Sequence, residues 1–219
     1  MIDLFKSKKN YPEYWKTYEA TFREKQPKYV SDIRFVVFDT ETTGFDFKKD
    51  RILSIGAVTV KRQEIHISDS LEIYVKQQRF NPETVEIHGI IRSEKVTLNS
   101  EEEAVKIFLE YIGNAVLVAH HAQFDIRMMN EILKRLDLPQ LKNKVLDTVN
   151  LYRATRITSN LINTQRNYTL DEIAENLDIS VKDRHTAAGD AMITAIAFMK
   201  IIGRLGRNGS LKLYDLMRL

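Results

Sequence analysis

The sequence predicts a mixed α/β fold in which helices flank a five-stranded sheet, made of a three-strand antiparallel meander and two further strands. Two observations support this prediction. Three strand-like segments, beginning with RFVVFD at residues 34–39, follow one another with short turns between them, which favours antiparallel neighbours. After residue 98, segments of helical periodicity alternate with short apolar runs, as in sheets that carry helices on their faces.

Composition indicates an ordinary globular protein of a reducing compartment. Of the 219 residues, 43% are hydrophobic and 29% are charged, and the absence of cysteine excludes disulfide bridges and thiolate metal sites. No apolar run reaches the roughly 20 residues of a membrane span, and the N-terminus lacks a signal-peptide apolar stretch. We therefore expect a cytoplasmic protein with no membrane partner. The net charge of +3 is compatible with an anionic partner without requiring one.

An aromatic helix is predicted ahead of the main domain. We expect an N-terminal helical extension at residues 1–32, a main domain at 33–205 and a C-terminal tail at 206–219. Within residues 10–26, aromatic side chains recur at three- and four-residue steps, and the favoured interpretation is a stripe that docks on the core. A face for a partner protein or for nucleic acid bases is the alternative. The stripe consists of Tyr11, Tyr14, Trp15, Tyr18 and Phe22.

The elements of the main domain follow in order. RFVVFD is continuously apolar, as expected of a central strand, and in the third strand Ile65, Ile67, Leu71, Ile73 and Val75 alternate with polar residues, which predicts one buried face.

The remaining elements are marked by helix caps and apolar runs. They are a second strand at 51–62, a helix capped by Asn99 or Ser100 and ended by Gly113, a strand at 114–121, a helix at 124–136, a short fifth strand at 144–148, a helix with a capping box at Thr169 and Glu172, and an apolar helix at 187–203.

Four acids fall where buried elements begin or end. Asp39 and Glu41 end the first strand two residues apart, so both carboxylates share one face. Asp125 and Asp190 each lie in the first turn of an apolar-faced helix, and His185 stands five residues before Asp190. Taken singly, the two helical acids are explained by favourable placement at a helix N-terminus, and a lone histidine is more often structural than catalytic.

Convergence of these carboxylates would require neutralisation. Two like charges about 4 Å apart cost on the order of 4 kcal/mol at an effective dielectric near 20, so either their pKa values rise or cations bind. Hard oxygen ligands suit Mg²⁺ or Mn²⁺. A two-cation carboxylate site is suited to phosphodiester cleavage, and a histidine can take a proton from water near neutral pH.

The motifs FDTETTG, AHHAQFD and HTAAGDA, in this order, resemble those of the DEDDh family of 3′–5′ exonucleases, over roughly residues 33–203. The resemblance implies a ribonuclease-H-like fold and an exonuclease domain at 33–205. It also implies two Mg²⁺ or Mn²⁺ ions held by the four acids, with His185 as general base. The expected activity removes nucleoside 5′-monophosphates from a free 3′ end, with DNA favoured over RNA, in proofreading or repair.

The resemblance further implies contacts with the terminal nucleotide. Thr42 and Thr43 fall where the family's backbone meets that nucleotide. Phe45 and Phe124 are candidates to stack on terminal bases, with packing in the core as the alternative for both.

Two histidines are also candidates for substrate contact by resemblance. His88, in the segment IHGI, matches a family segment near the substrate more weakly. His121 stands where the family commonly has asparagine, so its contact with the terminal nucleotide is expected to differ. Asp147, in KVLDT, is expected to be structural and to cap the next helix.

Partner contacts are predicted from two other segments. Residues 153–168 hold Arg153, Arg156 and Arg166 and no acid, which indicates either a phosphate-tracking loop or a solvated basic loop. The N-terminal MIDLF faintly resembles peptides that bind sliding clamps, so a sliding clamp or a DNA polymerase is a candidate partner, with local packing as the alternative.

Two other functions fit the same sequence. An RNA 3′-end exonuclease would use the same acids, because the metals act on the phosphodiester that DNA and RNA share. The contact with the 2′-hydroxyl determines which of the two nucleic acids is preferred. A non-catalytic polymerase-accessory or nucleic-acid-binding module is the alternative of another class. The complete set of acids argues against that module.

Overall fold

One mixed sheet forms the centre of the protein. The computed structural model describes residues 9–77, 97–156, 166–206 and 211–219. The strands are β1 (Phe35–Thr42), β2 (Ile52–Lys61), β3 (Glu64–Val75), β4 (Leu98–Asn99), β5 (Val116–Ala119) and β6 (Val145–Asp147). Their order is β4-β3-β2-β1-β5-β6. The β1-β2-β3 meander is antiparallel and the remaining pairings are parallel, which confirms the predicted mixed α/β class.

The sheet has one strand more than the five predicted. The extra strand, β4, pairs Leu98 with Tyr74 and Asn99 with Val75. A two-residue strand is too short to show any alternation of apolar and polar residues, so periodicity does not reveal it.

The prediction of one buried face on β3 was wrong at Ile67, and Ile65 and Leu71 pack partly buried against clusters on opposite faces of the sheet. Ile73 and Val75 are buried, but Ile67 is 68% exposed. The pairing register between β2 and β3 jumps from Ser70 to His66, so Ile67 lies in the irregularity. Such a bulge disrupts the ladder and redirects the side chains beside it.

Helices cover both faces of the sheet. In chain order they are α1 (Glu13–Thr21), α2 (Glu101–Ile112), α3 (Gln123–Arg135), α4 (Thr148–Arg156), α5 (Leu170–Asn176), α6 (Ala187–Leu205) and α7 (Leu213–Leu216), with a 3₁₀ turn at Val30–Asp32. Side chains of β1 alternate between two buried clusters. Val36 and Phe38 join the cluster beneath α1, α2 and α3, while Phe35 and Val37 join the cluster beneath α6. This two-sided burial explains the continuous apolar run.

The helix caps confirm the sequence signals. Ser100, not Asn99, caps α2, in a capping box with Glu103. Gly113 ends that helix with a φ of 46°, where a side chain would be strained. Thr169 and Glu172 form the predicted capping box of α5.

The N-terminal aromatic stripe packs on the core, as favoured from the sequence. α1 is shorter than the predicted 10–26, and its Trp15 and Tyr18 are buried. The Tyr18 hydroxyl donates to Asn143 Oδ1 at 2.6 Å and accepts from the Lys142 backbone at 2.8 Å. These contacts anchor α1 to the segment before β6.

The C-terminal residues also pack on the sheet domain. Leu213 and Leu216 of α7 join the cluster beneath α6, and Tyr29 forms a β-bridge with Lys212. The domain boundaries at residues 32 and 205 stay a prediction. Within the described ranges, no helix combines the length and apolarity needed to cross a bilayer.

Candidate active site

The first two acids lie at the end of β1. Asp39 and Glu41 are partly buried and share a face of the strand. Asp39 pairs in register with Gly56 of β2, at the level where α6 begins. The central strand therefore carries both carboxylates towards the helix layer of α6.

A close backbone approach brings the third acid to them. An added Cβ on Gly56 would lie 2.2 Å from the carbonyl carbon of Ala187, the first residue of α6. Only glycine permits this contact. Because Asp190 lies in the first turn of α6 and is buried, the approach sets its distance from β1.

Three of the predicted acids form one group. One carboxylate oxygen from each of Asp39, Glu41 and Asp190 lies within 4.8 Å of the others. Burial raises the pKa of Asp39 well above its usual range, and repulsion from Asp125 and then Asp190 raises it further. Burial and repulsion from Asp190 raise the pKa of Glu41 to about 7. A bound cation would relieve this repulsion, and the oxygen donors fit a hard divalent ion.

The fourth acid lies beside this group and is held from the opposite layer. Asp125, in the first turn of α3, is buried, and its Oδ1 accepts from the Thr40 backbone N–H at 3.0 Å and from the Thr40 hydroxyl at 2.6 Å. Burial raises the pKa of Asp125 to about 7, and the bonds from Thr40 oppose the rise. Its charge raises the pKa of Asp39, and the charge of Glu41 raises the pKa of Asp125, so Asp125 belongs to the same electrostatic site.

The predicted base lies on the turn before α6. His185 has a φ of 65° and an exposed side chain, and its backbone N–H donates to Asp190 Oδ1 at 3.3 Å. Thr186 caps the helix by accepting from the Gly189 N–H at 3.0 Å. The turn therefore brings the backbone of His185 into contact with one of the grouped acids.

Sequence reasoning missed three residues that build this site. Thr40 holds Asp125, Gly56 admits α6, and Arg184 forms an ion pair with Asp190 at 2.5 Å. A glycine inside an apolar strand is a signal of close backbone approach, which could have pointed to Gly56. Thr40 and Arg184 carry no comparable signal.

The loop after β1 positions the candidate nucleotide contacts. Thr42 Oγ1 donates to the Gly44 carbonyl at 2.8 Å, and Thr43 Oγ1 donates to Asp50 Oδ1 at 2.8 Å. Phe45 is 84% exposed and lies 5.8 Å, centroid to centroid, from the partly buried Phe124.

Two further aromatic and cationic side chains extend that surface. The Phe47 ring lies 5.5 Å from Phe124, and the Arg127 guanidinium lies 3.9 Å from the centroid of Phe47. Phe124 is partly buried and packs against the core cluster, so the alternative of core packing holds for part of its surface. The roles of Phe45 and Phe124 in substrate binding stay predictions.

The two predicted histidines differ in what the structure describes. His121 is exposed, has a φ of 55° and stacks edge-on against His120 at 4.5 Å. His88 lies outside the described residues. Asp147 caps α4 by accepting from the Val149 N–H at 2.9 Å, as expected, and also accepts from the Ala122 N–H at 3.0 Å.

The predicted basic segment is described only at its ends. Arg166 pairs with Glu172 at 2.8 Å, and Arg156 lies 5.8 Å from the centroid of the Tyr152 ring. Arg153 is partly buried. Residues 157–165, and the N-terminal segment MIDLF, lie outside the described residues, so phosphate tracking and clamp binding stay predictions.

Comparison with known proteins identifies the same region. Residues 36–198 match the model of a family described as exonuclease. DNA polymerase III PolC-type of Caldanaerobacter subterraneus subsp. tengcongensis is 37% identical over 176 residues, which cover 80% of this chain but 12% of that protein. DNA polymerase III subunit epsilon of Aquifex aeolicus is 33% identical over 175 residues, covering 80% of this chain and 83% of that one. The chain therefore spans a small fraction of the PolC-type relatives it matches.

A solved structure shares the fold. Exonuclease I of E. coli, in complex with a dA16 oligonucleotide, superposes with a TM-score of 0.65 at 19% identity, covering 80% of this chain and 42% of that one. This similarity confirms the expected ribonuclease-H-like fold.

Proposed function

The chain belongs to the exonuclease family whose model matches its residues 36–198, and it is a 3′–5′ exonuclease of the DEDD type. From that premise we propose that it degrades DNA from the 3′ end and releases nucleoside 5′-monophosphates. The observation that carries the proposal is the group of three carboxylates at the end of β1. Such a group is accommodated either by protonation or by bound cations, and its oxygen donors suit divalent ions.

We assign the metal site to Asp39, Glu41 and Asp190, with Asp125 as the fourth acid. We propose two ions, Mg²⁺ or Mn²⁺, because the donors are hard oxygens and the reaction has both an attacking and a leaving oxygen to stabilise. When bound, divalent ions of this kind polarise the phosphodiester and neutralise the charge that develops on it. Thr40 supports the site by fixing one oxygen of Asp125.

We assign the proton transfer to His185. An imidazole nitrogen of this exposed side chain takes a proton from the attacking water, as the water oxygen forms a bond to phosphorus. The bond between phosphorus and the 3′-oxygen of the preceding nucleotide breaks, and that oxygen takes a proton from solvent. The backbone contact of His185 with Asp190 supports this placement.

DNA is proposed as the substrate because the relatives named above are DNA polymerase III proteins and the solved neighbour was crystallised with a DNA oligonucleotide. A DNA polymerase or a sliding clamp is the partner that these relatives suggest. Phe45, with Phe124 behind it, offers an exposed aromatic surface on which a terminal base could stack. We assign Thr42, Thr43 and His121 to the same pocket.

Competition between matched substrates tests this proposal. DNA and RNA oligonucleotides of one sequence, labelled at the 5′ end, are digested together, and the ratio of their kcat/KM values is measured with chromatographic identification of the released nucleotide. We expect DNA to be preferred and a 5′-monophosphate to be released. A preference for RNA would assign the chain to RNA 3′-end processing, and tight binding without turnover would assign it to an accessory role.

A further inference from the structure

Arg184 holds two carboxylates at once, and only one of them belongs to the acidic group. Its Nη1 contacts Asp190 Oδ2 at 2.5 Å, while its Nε contacts Asp171 Oδ1 at 2.6 Å and its Nη2 contacts Asp171 Oδ2 at 3.2 Å. The guanidinium is largely buried, with 18% of the Arg184 side chain exposed. Asp171, on α5, thus takes two of the three hydrogen bonds.

The contact with Asp190 supplies positive charge to the acidic group. The Arg184 charge lowers the pKa of both Asp39 and Glu41, against the larger effect of burial. It also holds the pKa of Asp171 below its usual range through their hydrogen bonds. A positive side chain therefore already lies in contact with one carboxylate of the acidic group.

A divalent ion bound by Asp190 would compete with this guanidinium for the same carboxylate. Arginine has five N–H donors in a planar fork, which matches a single carboxylate bidentately. Arg184 can therefore give up its bond to Asp190 and keep both bonds to Asp171.

We propose that Arg184 is an exchangeable counter-ion of the active site: it neutralises Asp190 when no divalent ion is bound, and Asp171 retains it when an ion takes Asp190. This inference rests on the metal site of the proposed function. It makes Asp171 a positioning residue that acts on the metal site through Arg184, because it determines how readily the guanidinium leaves Asp190.

The proposal predicts opposite effects for the two partners of one ion pair. Arg184→Gln removes the competitor and should tighten binding of a divalent ion. Asp171→Asn leaves Asp190 as the carboxylate that holds Arg184 among these three residues. The guanidinium should then leave Asp190 less readily, so the divalent ion should bind more weakly. A purely structural ion pair would weaken binding in both variants, since either one breaks the same contact.

The double variant separates exchange from a long-range field. If the two charges act on the ion only through their long-range electrostatic field, their effects add, and the Arg184→Gln/Asp171→Asn variant binds the divalent ion with near wild-type affinity. If Asp171 acts through Arg184, the double variant binds as tightly as Arg184→Gln alone, because no guanidinium remains to be positioned.

Calorimetric titration of the full chain with Mn²⁺, in the absence of nucleic acid, measures these affinities directly. We expect each single variant to shift the dissociation constant about fivefold or more, in opposite directions. Arg135→Gln and Glu101→Gln are the matched controls, because Arg135 and Glu101 form a similar two-bond pair, at 2.6 and 3.0 Å, between α2 and α3. Both controls should bind Mn²⁺ as the wild type does.

Each outcome decides the proposal. Suppose the wild type binds Mn²⁺ and cleaves DNA. If both single variants then shift the dissociation constant in the same direction, or if their effects add in the double variant, the role of Arg184 is overturned and the proposed function stands. Wild-type protein that binds no Mn²⁺ would overturn both. Should Arg184→Gln not fold without the ion, weaker binding by Asp171→Asn than by Glu101→Gln that persists at high salt supports the exchange, because salt screens a long-range field. Equal binding, or a difference that disappears at high salt, contradicts it.

Discussion

Thr40 donates two hydrogen bonds to the same oxygen of Asp125, one from its backbone N–H at 3.0 Å and one from its hydroxyl at 2.6 Å. The contact joins the central strand to α3, which packs on the face of the sheet opposite the face that carries α6 and Asp190. It fixes a buried carboxylate beside the acidic group, although Thr40 itself points away from Asp39 and Glu41.

Removing the hydroxyl should therefore destabilise the fold. Thr40→Val keeps the shape of the side chain but removes one bond to a buried carboxylate, and we expect a loss of about 1–3 kcal/mol in the free energy of unfolding. Urea unfolding at neutral pH measures it. Thr40→Ser retains the hydroxyl and should recover most of the loss, whereas equal stability of the valine variant and the wild type would show that the bond contributes little.

The close approach at Gly56 predicts a geometric effect on activity. Gly56→Ala places a methyl group against the backbone of Ala187, so α6 has to shift and carry Asp190 away from β1. We expect a loss of about 1–3 kcal/mol in stability from overpacking and a fall in kcat, measured by unfolding and by steady-state digestion.

Gly203 provides the control for that substitution. Gly203 lies in α6, the helix that Gly56 contacts, and no neighbouring segment comes within 4 Å of a Cβ added there, so Gly203→Ala should stabilise the protein by up to about 1 kcal/mol. Full activity of Gly56→Ala at wild-type stability would show that α6 tolerates displacement at this point.

The raised pKa of Glu41 predicts a pH-dependent stability of the metal-free protein. Its carboxyl has a pKa of about 7 in the folded chain against an ordinary 4.5. Below about pH 4 the carboxyl is protonated in both the folded and the unfolded chain, so its raised pKa costs no stability there. As pH rises towards 7, the unfolded chain releases this proton before the folded one does, which favours unfolding.

Glu41→Gln removes this titration and isolates its contribution. With a chelator present, the stability of the variant relative to the wild type should increase between about pH 4.5 and pH 7 and then level off. Thermal unfolding across that range measures the difference. A difference that stays constant with pH would contradict the raised pKa.

The assignment of His185 as base predicts a separation of binding from turnover. His185→Ala should lower kcat by about 10²–10⁴-fold, while Mn²⁺ affinity stays near that of the wild type, because the imidazole is not a proposed ligand. Single-turnover digestion and calorimetry give the two quantities. Near-normal turnover in this variant would refute the role of His185 as base.

The sequence predicts those parts of the fold that depend on local chemistry. The two-sided burial of β1 follows from its apolar run, and the caps at Ser100, Gly113 and Thr169 follow from short-range signals. The two-residue strand β4 and the irregular register of β3 depend on pairing between distant segments, which local periodicity does not encode.

The active site likewise has parts that the local sequence predicts and parts that depend on packing between distant segments. The spacing of Asp39 and Glu41 places both on one face of a strand, as predicted. How closely Asp190 approaches them depends on contact between Gly56 and Ala187, which are far apart in sequence. The pairing of Arg184 with both Asp171 and Asp190 likewise becomes visible only when α5 and α6 are packed together.

The most direct test of metal-dependent 3′–5′ cleavage at the acidic group is digestion of 5′-labelled single-stranded DNA with Mg²⁺, alongside a chelated sample and two variants. Asp39→Asn removes a grouped carboxylate, and Asp137→Asn removes an acid whose side chain is 87% exposed. We expect a ladder that shortens from the 3′ end for the wild type and Asp137→Asn, and no ladder for Asp39→Asn or the chelated sample. A ladder of equal intensity from Asp39→Asn would show that cleavage does not depend on the acidic group.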